Sequence, residues 1–145
     1  MPRVTLAEKP SYEHSHSMLI RATDINYGGH LGNETLLGLV HEARAHFLKA
    51  VNFITIIGGK QTVGLVANYK AEGFAHEEVT VESQIDELGQ KSFRLFHRIQ
   101  RGEQVIALVE MGMVAYSYSK RTPVHLPTEF LNGLQEYRKM KTENT

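Results

Sequence analysis

Between Arg21 and Arg44 the sequence gathers polar, titratable and backbone-permissive residues at close spacing. Asp24, Asn26, Gly28, Gly29, His30, Gly32 and Asn33 come first, and Glu42 and Arg44 follow on the next segment. An imidazole and two carboxylates in so short a stretch can activate water by general acid–base chemistry. His30 and Glu42 stand equal as candidate base, with Asp24 as an orienting carboxylate. Gly28, Gly29 and Gly32 let a backbone come close to a substrate. A helix starting at Asn33 offers free N–H groups and the positive end of its dipole to a developing oxyanion.

Simpler roles compete for the same residues. Asn33 suits a helix N-cap and Asp24 a turn former. Glu42 and Arg44 fall where a buried helix expects apolar residues, and a buried carboxylate must be paired, hydrogen-bonded or protonated. They read equally well as a structural ion pair. His30 can serve as a loop-stabilising hydrogen-bond partner, and His41 and His46 as exposed helix residues.

Other motifs fail on spacing. His41-Glu42 and His46 resemble a zinc-protease helix, but the histidines are five apart instead of four, about 140° around the axis. Gly59-Lys60 is no phosphate loop, because Ile54 and Gln61 occupy positions where that motif needs glycine and a hydroxyl residue. A Gly-x-Ser-x-Gly nucleophile elbow is missing. His14 and His16 share one side of a strand and read as solvated residues before metal ligands. No metal is expected.

The elements that position these residues follow from periodicity. Ser17 to Thr23 suits a strand ending in the loop Asp24 to Gly32. Leu36, Val40, Ala43 and Phe47 recur at helical spacing, and Leu37, Leu39 and Leu48 widen the face, as for a helix wrapped by other structure. The pattern fades over Val51 to Ile57, and Gly58-Gly59 punctuates it. Thr62 to Phe74 reads as a strand irregular at Gly64 and Gly73. Val79, Val81, Ser83 and Ile85 alternate with polar neighbours, and Phe93, Leu95 and Ile99 share a face within Ser92 to Gln100. Gly89 and Gly102 turn the chain. Val105 to Ser117, apolar on both faces, belongs inside a sheet, and Pro123 and Pro127 end it. Thr128 to Lys139 suits a short closing helix. The fold class is α+β: one long helix against a curved antiparallel sheet.

Composition bounds the rest. The 145 residues suit one domain over 1–145, able to bury roughly two-thirds of its unfolded surface. Sixteen basic and sixteen acidic residues cancel, which argues against a nucleic-acid partner. The absence of cysteine excludes a thiol nucleophile, a disulfide framework and a cysteine-based zinc site. Mean hydropathy is −0.29, and no apolar run approaches the ~20 residues of a membrane span. Met1 to Pro10 reads as a lead-in without a signal-peptide pattern, so a cytoplasmic location is expected.

The stretch Asp24, Asn26, Gly29, His30 and Asn33, followed by Glu42-Ala43-Arg44, resembles the hot-dog-fold thioesterases of the 4-hydroxybenzoyl-CoA and acyl-ACP type. Their signature reads Asp-x-Asp-x-x-Gly-His-x-x-Asn, then Glu-Ala-Arg or Glu-x-Ala-Arg on the helix. The resemblance implies a five-stranded sheet wrapped around the long helix. It implies subunits joining their sheets as a dimer or dimer of dimers, with sites at the dimer interface, no cofactor, and an acyl-CoA or acyl-carrier-protein thioester as substrate. Asn26 replaces the family's second acid, often its base or nucleophile. An amide orients water or a carbonyl but cannot take a proton. Either another group supplies the base or hydrolysis is weak. A hot-dog enoyl-CoA hydratase-type lyase using Asp24 and His30, or a non-catalytic acyl-CoA-binding module, are the alternatives.

Overall fold

The computed structural model describes residues 3–53 and 60–143. The elements run β1 (His14–Leu19), a 3-10 turn (Ala22–Asp24), α1 (Asn33–Ala50), β2 (Lys60–Tyr69) and β3 (Glu78–Asp86). They continue with β4 (Ser92–Arg101), β5 (Gln104–Ser117), β6 (Thr122–Pro123) and α2 (Thr128–Glu143). The strands form an antiparallel sheet in the order β1-β3-β4-β5-β2, with β6 paired to the end of β5. This is the α+β hot-dog architecture expected from the resemblance.

Alternation decides which side of the sheet meets α1. In β3, Val79, Val81, Ser83 and Ile85 are buried while their neighbours are half-exposed; in β4, Phe93, Leu95, His97 and Ile99 do the same. β5 has neighbours on both sides, and Ile106 to Val109 form an unbroken buried run. Register shifts between Thr62 and Gly64 on β2 and at Ile99/Gln100 on β4 interrupt the ladder.

Helix α1 buries Leu36, Leu39, Val40, Ala43, Arg44, Phe47 and Leu48. Its first half packs with Ile20, Leu31, Val79, Val81, Ile99 and Ile106. Its second half meets Phe53, Phe93, Leu95 and the α2 residues Phe130 and Leu134. Burying a side chain such as Phe130 completely contributes about 1.5–3 kcal/mol. Residues 3–12 cross the outer face. Leu6 N–H donates to Asn68 Oδ1 at 2.6 Å, and Asn68 Nδ2 donates to Val4 O at 2.9 Å. Further on, Glu8 pairs with Arg98 and Lys9 with Asp86.

The elements depart from the sequence expectations at several boundaries. β1 begins at His14, three residues early, and stops at Leu19, because Ala22–Asp24 coils into the 3-10 turn. β2 ends at Tyr69, so Gly73 lies in the loop beyond it. The closing helix reaches Glu143, anchored by Arg138 on Glu13 and on the Ile85 carbonyl. β6 went unanticipated. The punctuation at Gly58-Gly59 and the remaining Ile54 to Ile57 stretch lie outside the described residues.

Candidate functional site

The loop from Asp24 to Gly32 is a small hairpin. Ile25 bridges Leu31, Asn26 N–H donates to His30 O at 2.9 Å, and Gly29 N–H donates to Asn26 O at 3.1 Å. The Asn26 side-chain oxygen accepts from Gly28 N–H at 2.9 Å, an Asx turn that occupies the acceptor facing the loop. Gly29 has φ +83°, which L side chains rarely adopt. Glycine at 28 makes room for the protein's own imidazole, since a Cβ there would sit 3.0 Å from His30 Nε2. At Gly32 the crowding atoms are Glu34 and Thr35 side-chain oxygens. Gly28 and Gly32 therefore have local reasons to be glycine besides substrate approach.

Asp24 is buried and held by Arg21. Its Oδ2 accepts from Arg21 N–H at 2.8 Å and Nε at 3.2 Å, and its Oδ1 from Nη2 at 3.0 Å. The guanidinium keeps this carboxyl below the usual carboxylate range, so Asp24 is an anion at neutral pH. The main chain of Asp24 reaches the helix too: Thr35 Oγ1 donates to Asp24 O and to Gly32 O, both at 2.9 Å.

Helix α1 starts differently from expectation. Gly32, extended at φ −69° and ψ 149°, is the N-cap; Asn33 is the first helical residue, exposed, and among the described residues no side-chain cap hydrogen bond forms at this end. The helix therefore begins without an amide oxygen covering its first N–H groups. Among the described residues, its mouth separates two cavities. The first, about 520 Å³, is lined by His30, Asn33, Tyr69, Lys70, Glu72, Phe74 and Arg101 among others. His30 Nε2 lies 3.9 Å from Glu72 Oε1 there, and Tyr69 Oη donates to Asn33 O at 3.3 Å. The second, about 620 Å³, carries Asp24, Glu34, His41 and Glu42 with the apolar side chains of Met18, Leu19 and Leu39.

The two candidate bases are thus not brought together: His30 lines the first cavity and Glu42 the second. The expected Glu42–Arg44 pair does not form, because residues two apart on a helix point about 200° from each other. Glu42 is exposed and lies 3.5 Å from His46 Nε2, whereas Arg44 is buried and its Nη2 donates to His41 Nδ1 at 2.6 Å.

Sequence reasoning missed a polar row beneath the second half of α1. His14, Ser83 and His97 are register partners across β1, β3 and β4. Ser83 Oγ and His97 Nδ1 share a hydrogen bond of 2.7 Å, and Tyr137 Oη lies 3.1 Å from His14 Nδ1. Instead of being solvated, His14 stacks on Phe47 with ring centroids 4.7 Å apart. Burial, reinforced by the Arg44 charge, pushes His97 down to about 3, and burial pushes His14 down to about 4. The signal lay in parity: His97 falls on the same face as Phe93, Leu95 and Ile99. His16 stacks on His46 at 4.0 Å. No group of three or more His, Asp or Glu side chains among the described residues could hold a metal ion.

The chain superposes on solved thioesterase structures. A 1,4-dihydroxy-2-naphthoyl-CoA thioesterase from Synechocystis shares 17% identity at a TM-score of 0.77, with 85% of this chain and 96% of that one covered. A Thermus thermophilus thioesterase complexed with coenzyme A and zinc shares 18% at 0.79, covering 89% and 96%. A Staphylococcus aureus protein in complex with CoA shares 15% at 0.80, covering 93% and 89%. At these identities the likeness establishes the hot-dog fold. No curated protein matches the chain. The family model of the thioesterase-like superfamily matches residues 20–134, from the end of β1 through the middle of α2. With the Asp24-to-Arg44 signature folded as loop and central helix inside that match, the chain belongs to the thioesterase-like superfamily.

Proposed function

We propose that this protein hydrolyses acyl thioesters of coenzyme A, or of an acyl carrier protein, at the mouth of helix α1. The observation that carries the reading is the folded signature itself. A loop holding Asp24, Asn26 and His30 opens onto a helix start that has no side-chain cap among the described residues, in a chain of the thioesterase-like superfamily. The first-turn N–H groups suit the oxyanion that forms when water attacks a thioester carbonyl. Asp24 is held by Arg21 and shapes the loop, and Asn26 serves as a turn-forming amide, so neither takes the proton in this reading. That leaves Glu42 and His30. Glu42 is the stronger base candidate, because it shares the larger cavity with apolar side chains able to receive an acyl group.

The functional unit in this reading is a homodimer joined at the β2 edge. β2 is a terminal strand of the sheet, with Leu65 and Tyr69 exposed along it, and exposed edges of this kind need covering. Tyr69 also lines the His30 cavity, so a second subunit at that edge adjoins the site.

A panel of acyl-CoA and acyl-carrier-protein substrates with thiol detection tests the reading. Turnover is expected with at least one, and Glu42→Gln is expected to lower kcat by ~10²–10⁴-fold, the usual contribution of a general base. No thiol release from any thioester, alongside hydration of an enoyl-CoA, sinks it in favour of a lyase. His30→Ala losing the larger factor transfers the base to the first cavity.

A further inference from the structure

We propose that the cavity holding Glu34 and Glu42 selects uncharged acyl groups and disfavours those that end in a carboxylate, with Glu34 as the side chain that sets this preference. The inference deepens the hydrolase reading and rests on it.

The charges lining the cavity supply the first observation. Asp24 and Arg21 both face it, and they cancel: the Arg21 guanidinium holds both Asp24 oxygens, with Nη2 3.0 Å from Oδ1. Glu34 and Glu42 remain. Neither forms an ion pair with a lysine or arginine among the described residues, and Glu42 has the imidazole of His46 3.5 Å away. An anionic group entering here meets two carboxylates, while the cation in the lining is already engaged.

The helix supplies the second, by arranging these carboxylates along the path of an acyl chain. Glu34, Gly38 and Glu42 succeed one another four residues apart, so they fall on one stripe of α1. A Cβ at Gly38 would meet nothing within 4 Å, and its absence leaves a groove between the two acidic side chains. Met18, Leu19 and Leu39 give the cavity its apolar walls. Glu34 stands at the entrance. A Cβ built on Gly32 would lie 3.0 Å from Glu34 Oε1, so this carboxylate folds back over the helix start.

A thioester carbonyl held at the first-turn N–H groups therefore sends its acyl chain past Glu34 and along the stripe. Methylene groups gain apolar contact there, whereas a terminal carboxylate is repelled. At roughly 7 Å and the dielectric of water, one carboxylate disfavours a second anion about threefold, so the pair amounts to ~10-fold. An acidic residue in the first turn also suits the helix dipole, but that stabilising role is blind to the acyl group.

Hydrolysis of three acyl-CoAs of equal chain length, ending in methyl, carboxamide or carboxylate, tests the selection at about pH 8, where an unperturbed imidazole is neutral. The carboxamide and carboxylate differ in charge and hardly in size. At low ionic strength kcat/KM for the carboxamide is expected to exceed that for the carboxylate ~10-fold, mainly through KM, and the ratio is expected to narrow in about 0.5 M salt. Glu34→Gln is expected to bring the ratio to about threefold, and Glu34→Lys to near unity. Removing this charge also eases the neighbouring oxyanion, but for all three substrates alike, so that effect cancels in the ratio, as does any loss of folded protein. A ratio of one in the unaltered protein, a preference for the carboxylate, or a ratio that Glu34→Lys leaves unchanged overturns the proposal. Calorimetry with two thioethers that cannot be hydrolysed, S-(4-carbamoylbutyl)-CoA and S-(4-carboxybutyl)-CoA, separates this inference from the hydrolase reading. The carboxylate is expected to bind ~10-fold more weakly. In a protein that turns over no thioester, that result keeps the selection and removes the hydrolase. Equal binding, or binding of neither, overturns the selection even where thioesters are hydrolysed.

Discussion

Two glycines inside helices permit the same substitution with opposite outcomes. At Gly38 in α1 an added methyl meets open space, so the change is governed by backbone entropy. Glycine is less favourable than alanine in a helix interior by about 0.8–1.0 kcal/mol, and Gly38→Ala should recover close to that. For a domain of this size the gain corresponds to a Tm rise of roughly 3–5 °C. At Gly133 in α2, a Cβ would lie 2.7 Å from the carbonyl carbon of Val51 and closer still to its oxygen. The obstacle is backbone at the end of α1, and α2 cannot retreat without pulling Phe130 and Leu134 out of the core. Overpacking costs about 1–3 kcal/mol, occasionally more, and a rigid obstacle argues for the upper end. Subtracting the ~1 kcal/mol helix gain leaves a net loss of about 2 kcal/mol and a Tm drop of roughly 6–10 °C. Urea and thermal unfolding at matched protein concentration measure both. Shifts of the same sign would refute the reasoning. A destabilised Gly38→Ala that also dissociates the protein would show that a second subunit, and not substrate, occupies that space.

Asn26→Asp restores the family's second acid; thiol-release kinetics should show kcat preserved or raised, and Asn26→Ala should cost less than Glu42→Gln. His14 and His97 stay neutral in the folded state to about pH 4 and 3, while their unfolded forms protonate near 6.5. The unfolded chain thus binds more protons over that window, and stability should fall on acidification below pH 6.5, by up to about 1.4 kcal/mol per pH unit per histidine. Equilibrium unfolding across pH checks this, with a shallower slope expected for His97→Gln. Asn68→Ala strips two hydrogen bonds from the backbone of residues 4 and 6, and should cost about 1–3 kcal/mol in urea unfolding. Leu65→Lys on the exposed β2 edge should convert a dimer to monomer by sedimentation equilibrium; a wild-type protein already monomeric at micromolar concentration defeats the shared-edge reading.

Periodicity made the fold legible because α1, β3 and β4 each bury one consistent face. Leu36, Val40, Ala43 and Phe47 announce the helix, and Val79, Val81 and Ile85 announce a strand, whatever surrounds them. The boundary of β1 was not legible, since the turn at Ala22–Asp24 depends on Arg21 reaching back to Asp24, a side-chain contact without a periodic trace. In the site, residue types were readable and partners were not. Glu42 read as buried because it interrupts an apolar run, yet its angular position sets it outward while Arg44 turns in. Asn33 has an N-cap's composition, but the extended conformation that defines the cap fell one residue earlier, on Gly32. The division of His30 and Glu42 between two cavities depends on how the loop packs across the helix mouth.

The segment crossing the outer face has a practical consequence for anyone handling the protein. Through Val4 and Leu6 the chain meets the sheet at Asn68 on β2, the edge proposed for subunit pairing, and then runs toward β3. An affinity tag or fusion placed ahead of Arg3 would hang beside that edge, where a bulky partner can wedge two subunits apart. Helix α2 ends elsewhere, tethered through Arg138 to Glu13 just before β1, at the far margin of the sheet. A tag at the carboxyl end keeps clear of the seam. Comparing the two tagged forms by mass and by specific activity would report on assembly without altering a residue of either cavity.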